Sequence, residues 1–208
     1  MSMSVEQFLS LSDAEQLQTI KDLNDIGQEE IIIDVLTGIG IDNLSVPLLG
    51  ELGRAYNNND KPEEAIKVFK TIDTEHRDAV WHYRCAYSHG SIASTNHEAY
   101  TSENMQQMLA LVDNGVRLAT KEGRNDIKEY CFEVMDMCRL QMDFEKCEVD
   151  YPDLCLNYSK YIAEKKKKRE GVPRQRTITV EEILATDDMW TINEPAYWTI
   201  NIYGSYDD

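Results

Sequence analysis

Between residues 46 and 72, apolar side chains recur every three or four positions on both sides of a single polar break. Leu48, Leu49, Leu52, Ala55 and Tyr56 form one stripe, Asn57-Asn58-Asn59-Asp60 interrupts it, and Ala65, Ile66, Phe69 and Ile72 form a second. A stripe of that period buries one face of an α-helix and leaves the other wet. Pro47 suits a first helical turn, whose amide hydrogens have no partner within the helix. Asp60 is expected to cap the second helix and Pro62 to open it, with Glu63 and Glu64 at the positive end of its dipole. Two helices separated by so short a break fold back on each other, so this segment reads as an antiparallel hairpin.

The same period continues along most of the chain. Residues 1–40 read as two short amphipathic helices. In the first, Ser4 or Ser12 serves as the cap and Phe8, Leu9, Leu11, Leu17, Ile20 and Leu23 lie inward. The second runs from Glu29 to Leu36 and stops near Gly38-Ile39-Gly40, which no strand precedes and which is therefore not a phosphate loop. A long helix is predicted from Ser102 to Lys121 and ends at Gly123. Another spans Asp126 to about Phe144, with Leu140 and Met142 inward. Residues 151–169 close the series, with Leu154, Leu156, Tyr158, Tyr161 and Ile162 as apolar positions. The fold class is all-α.

One hairpin carries a more specific signature. Leu49-x-x-Leu52-Gly53-x-x-Tyr56, then Ala65 nine residues on and Phe69 four further, resembles the tetratricopeptide repeat. Small residues at 53 and 65 are needed where two rods cross closely, and Leu52, Tyr56 and Phe69 fill the space around the crossing. Leu49 replaces the usual tryptophan, and Arg77 stands where the family carries proline. A weaker second copy, His82-x-x-Cys85-Ala86-x-x-His89, begins 33 residues later. It is expected to be followed by a long turn at 90–96. The resemblance covers residues 46–90 by motif and 91–146 by architecture. It implies antiparallel hairpins stacked as a short α-solenoid, with the first helix of each pair lining a concave groove. By position, the groove residues are Gly50, Arg54, Asn57, Asn58, Tyr83 and Tyr87. Stacked hairpins need covered ends, and residues 1–40 and 151–169 are expected to supply them. The domain is then 1–164, with a basic linker or helix end at 165–176. A tail at 177–208 is expected to hold a short helix from Thr179 and one strand near 197–204.

Composition narrows the function. With 21 basic and 38 acidic residues the net charge is −17, which repels phosphate backbones and anionic membranes. Seven of the basic residues fall in 165–176, where a solvated helix end is the expected role ahead of nucleic-acid contact. No run approaches the about 18 apolar residues of a membrane span, and the first residues lack the features of a secretory signal. A cytoplasmic location is expected. The five cysteines show no C-x-x-C pairing, so they read as small buried hydrophobes. His82, Cys85 and His89 share a helical face and can offer three metal ligands, but they coincide with the packing face of the second repeat. Ser88 and His89 are neighbours about 100° apart on a helix, so they cannot form a nucleophile pair.

The reading that follows is of a protein that is not an enzyme and has no catalytic residue, metal or cofactor. It binds a protein or peptide through a concave groove and an acidic surface, with a basic partner favoured. Two alternatives share these features. One is an immunity- or antitoxin-like protein that neutralises a basic toxin such as a nuclease. The other is a helical regulator acting through its aromatic C-terminal tail.

Overall fold

Helix starts are set by local capping chemistry. In the computed structural model of the chain, which describes residues 3–95 and 102–170, the N-terminal segment is divided by its two serines. The Ser4 hydroxyl accepts from the Gln7 amide at 3.2 Å and opens α1 (Val5–Leu9). The Ser12 amide donates to the Glu15 carboxylate at 2.9 Å and opens α2 (Asp13–Asp25). Both serines cap, so residues 1–40 hold three helices where two were expected. The third is α3 (Glu29–Ile39), ended by Gly40, whose φ of 92° is open to glycine and strained for other residues.

The predicted hairpin is α4 (Val46–Asn58) and α5 (Pro62–Thr71). Asp60 does not cap α5. Its backbone is left-handed, with φ of 53°, and it makes the turn while Lys61 takes the capping position. Helix α6 (Ala79–Thr95) runs straight through the expected turn at Gly90. Its Asp78 neighbour accepts from the Trp81 amide at 2.8 Å. Then follow α7 (Glu103–Glu122), capped by the Ser102 hydroxyl and ended by left-handed Gly123, and α8 (Asn125–Met137). The predicted long helix to Phe144 ends early. The Asp143 side chain caps a separate α9 (Phe144–Asp150), which leaves Leu140 96% exposed and Met142 buried. Last comes α10 (Pro152–Glu170), on which Leu154 and Tyr158 are buried and Leu156 is exposed. Among the described residues the structure is all-helical.

Residues 1–166 make one compact unit, and Lys165 and Lys166 lie on its last helix. Residues 171–176 of the basic segment, the short helix expected at Thr179 and the strand expected at 197–204 lie outside the described residues.

From α2 to α8 each helix packs on the next, α1 packs on α3, α2 reaches α4, and α6 also touches α4 and α8. Two hydrophobic clusters result. The front one gathers α1–α5 around Phe8, Ile20, Leu36, Leu52 and Phe69, and takes Trp81 and Cys85 from α6. The back one gathers α7–α10 around Met105, Met108, Leu109, Phe132 and Met135, and takes Ala79, Ala86 and Ala93 from α6. These alanines repeat every seven residues, about two turns, so they form one narrow stripe. Helix α6 is therefore apolar on two sides, as befits a helix between two cores.

The small positions do what close packing requires. Gly53 backs directly onto the Phe69 ring, and an added Cβ would collide with it. Ala65 and Ala86 are fully buried. Arg77, expected as a departure from the repeat's proline, donates from Nε to the Ile72 carbonyl at 2.9 Å and lies 4.5 Å over the Trp81 ring. The Trp81 indole donates to the Phe69 carbonyl at 3.1 Å. That position thus closes the end of α5 by hydrogen bonding instead of by a fixed φ.

Candidate binding groove

Helices α2, α4, α6 and α8 contribute side chains to one open groove of about 830 Å³, with Phe69 and Ile72 reaching it from the end of α5. All six positions derived from the repeat resemblance line it: Gly50, Arg54, Asn57, Asn58, Tyr83 and Tyr87. Their roles differ.

Asn57 is only 7% exposed, and both ends of its amide are used inside the chain. Its Nδ2 donates to the Arg84 carbonyl at 3.0 Å, and its Oδ1 accepts from the Ser88 hydroxyl at 2.7 Å. It ties α4 to α6. Arg54 donates to Asp25 at 2.9 Å and lies 3.6 Å from Glu51. Asn58 is exposed. Tyr83 and Tyr87 are half-buried, and the Tyr83 ring stacks on Tyr130 of α8 with centroids 5.3 Å apart. Burial pushes the Tyr83 phenol above its ordinary range, and Tyr87 adds to the effect, so it stays protonated and can donate.

The floor is organised by a residue the sequence reading missed. Glu51 is 5% exposed on the buried side of α4. Its carboxylate accepts from Arg84 at 3.0 Å and from Asn24 of α2 at 2.9 Å. Arg84 also donates to the Gly50 carbonyl at 3.0 Å. One carboxylate therefore joins three helices, and a buried charge held this way is satisfied by geometry and hydrogen bonds. The available signal was position: Glu51 falls between Leu48 and Ala55 on the apolar stripe, where an unpaired charge is expensive. Tyr130 and Arg84 had no such signal, since their partners are remote in sequence.

Charges along the groove are largely paired internally. Arg84 meets Glu51, Arg54 meets Asp25, and Arg124 meets Asp126 at 2.8 Å. In a chain of net −17, the groove is a nearly neutral strip with aromatic rings on its wall.

The three residues weighed as metal ligands lead separate lives. Cys85 is buried in the front cluster, and its thiol is pushed up to about 12 by burial. His89 Nδ1 lies 2.9 Å from the Asn104 oxygen. His82 stands edge-on to Trp81, with ring centroids 4.9 Å apart. Among the described residues no group of three or more His, Cys, Asp or Glu side chains is arranged to hold a metal ion, and no helix is long and apolar enough to cross a membrane. Comparisons with models of protein families, with curated proteins and with solved structures find no match to this chain.

Proposed function

We propose that this chain is a non-enzymatic interaction module, a short tetratricopeptide-like stack that binds an extended peptide or protein segment along the groove. The observation that carries this reading is the groove itself. Four helices contribute to it in the order α2, α4, α6, α8, with α3, α5 and α7 intervening in the chain. At about 8–10 Å between neighbouring axes, such a face accommodates roughly eight residues of extended chain. Its wall offers Tyr83, Tyr87 and Tyr130, rigid rings with polar tips that give contact area at low entropic cost. The internally paired floor spares a ligand the cost of neutralising buried charge.

A random peptide library panned on the full chain tests the proposal. Enriched peptides should lose at least about tenfold in affinity for a Y83A/Y87A variant that keeps the wild-type helical spectrum. No enrichment, or peptides that bind both proteins equally, would overturn it.

A second reading, neutralisation of a basic protein such as a nuclease toxin, rests on the net charge of −17. Association through that field speeds encounter and weakens with added salt. Tight binding to a basic partner that ignores ionic strength would count against it.

A further inference from the structure

Cys147 and Cys155 lie eight positions apart, on different helices. On one continuous helix that separation is about 12 Å along the axis. The chain instead breaks at Tyr151, with φ −137° and ψ 61°, because a proline disfavours helical backbone at the residue before it and readily begins a new helix. Pro152 is that residue, and α9 and α10 meet at the corner. The two sulfurs come to 3.0 Å from each other. Both thiols are free, at 0% and 4% exposure. The other three cysteines sit in different surroundings. Cys138 donates to the Gly90 carbonyl at 3.3 Å, Cys131 packs against Gly115, and Cys85 lies in the front cluster.

We propose that Cys147 and Cys155 form a redox dithiol, which a small disulfide of the glutathione class closes into an intramolecular disulfide pinning α9 to α10. The sulfurs need only about 1 Å of further approach to reach bonding distance. Cys155 reacts first. It is the slightly exposed member, and its thiolate accepts a hydrogen bond from the Cys147 thiol, which offsets part of the rise that burial imposes; burial and the neighbouring Cys155 both push Cys147 up.

In the first step Cys155 loses its proton and its sulfur attacks one sulfur of the oxidant. The oxidant's disulfide bond breaks, one small thiol leaves, and a mixed disulfide remains on Cys155. Cys147 then loses its proton and attacks the Cys155 sulfur, and the second small thiol departs. The two cysteines give up two electrons and two protons, and the oxidant takes them up as two thiols. Access comes through α9. It has seven residues, Val149 on it is 79% exposed, and so short a helix opens locally at low cost.

The test uses the full chain, reduced and then incubated with oxidised glutathione, alkylated and mapped by mass spectrometry. Free thiols should fall from five to three, with Cys147 linked to Cys155, and a reductant should restore all five. In C147A, which removes the resolving thiol, the glutathione adduct on Cys155 should accumulate about tenfold over wild type. Five thiols persisting in wild type, a linkage between other cysteines, or a stable adduct on wild-type Cys155 would each overturn the proposal. The wild-type map decides the matter even if the variant fails to fold.

Discussion

The front cluster closes around branched aliphatics, three rings and the neighbouring buried Glu51 carboxylate, while the back cluster combines the ring group of Phe132, Phe144, Tyr158 and Tyr161 with the buried thioethers and four of the five thiols. Phe8, Phe69, Trp81 and Glu51 are stiff or charged and accept few arrangements. Met105, Met108, Met135 and Met142, with Cys131, Cys138, Cys147 and Cys155, are soft and adaptable. The two clusters share α6, which lends Trp81 and Cys85 to the front and Ala79, Ala86 and Ala93 to the back. In front, the Phe69 ring against Gly53 leaves no room for a Cβ, which ties a small residue to that position. Behind, flexible methionine side chains adapt to the gaps the backbone leaves.

Four measurements test that contrast. The largest effect is expected for Phe69→Ala, because Phe69 is fully buried and its ring fills the space Gly53 leaves. It should cost about 4 kcal/mol in denaturant unfolding, and a loss below about 1 kcal/mol would mean that the front crossing collapses as easily as the back. Next, Glu51→Ala should cost about 3 kcal/mol, since it strands Arg84 and Asn24 at the groove floor. Glu51→Gln, which keeps an acceptor, should recover much of that. Equal losses for the two would show that the charge pair is not what joins the helices.

Gly53→Ala and Gly90→Ala compare the clusters by the same chemical change. A Cβ at 53 would meet the Phe69 ring, whereas one at 90 would meet the tip of Met137 at 2.9 Å and Val134 at 3.1 Å. We expect about 2 kcal/mol for the first and under about 1 kcal/mol for the second. Within a Phe69→Ala background the cost of Gly53→Ala should vanish, the coupling expected of two residues in contact.

The smallest effect is the pH dependence of α6. Burial lowers the His82 and His89 imidazoles below the ordinary 6.5; Arg77 adds to this at His82, while the Asn104 hydrogen bond opposes it at His89. Their folded pKa values are depressed, so the unfolded chain binds more protons as pH falls, and stability present above 6.5 declines below it. Melting temperature measured at pH 7.5 and 5.5 should fall on acidification, and fall less in H82Q/H89Q. An identical drop in both proteins would assign the loss to other groups.

Much of the groove was legible because helical period and small-residue spacing are local properties. Gly50, Arg54, Asn57, Asn58, Tyr83 and Tyr87 were expected there from their positions in the repeat resemblance, and all six line the groove. That resemblance did not separate Asn57, consumed by Arg84 and Ser88, from Asn58, which is exposed. The two are adjacent and chemically alike, and only the position of α6 decides which amide is covered. Asp60 and Gly90 show the complementary error. Each has a strong local preference, for capping and for breaking a helix; exposed Asp60 instead takes the left-handed turn position before Lys61, and Gly90 stays helical where Val134 and Met137 of α8 press against it.

Amino-acid order was enough to read the described residues as helical, to place most of their helix starts, and to mark small residues at 53, 65 and 86, of which Gly53 backs onto the Phe69 ring and Ala65 and Ala86 are fully buried. Those outcomes depend on contacts within one or two turns, which the spacing of side chains already contains. The tertiary structure alone decided that Glu51 joins three helices, that Tyr130 completes the groove wall, and that Cys147 meets Cys155 around a corner. Each of these depends on where separate rods come to rest against one another, and that is set by the collective filling of two cores rather than by any neighbouring residue.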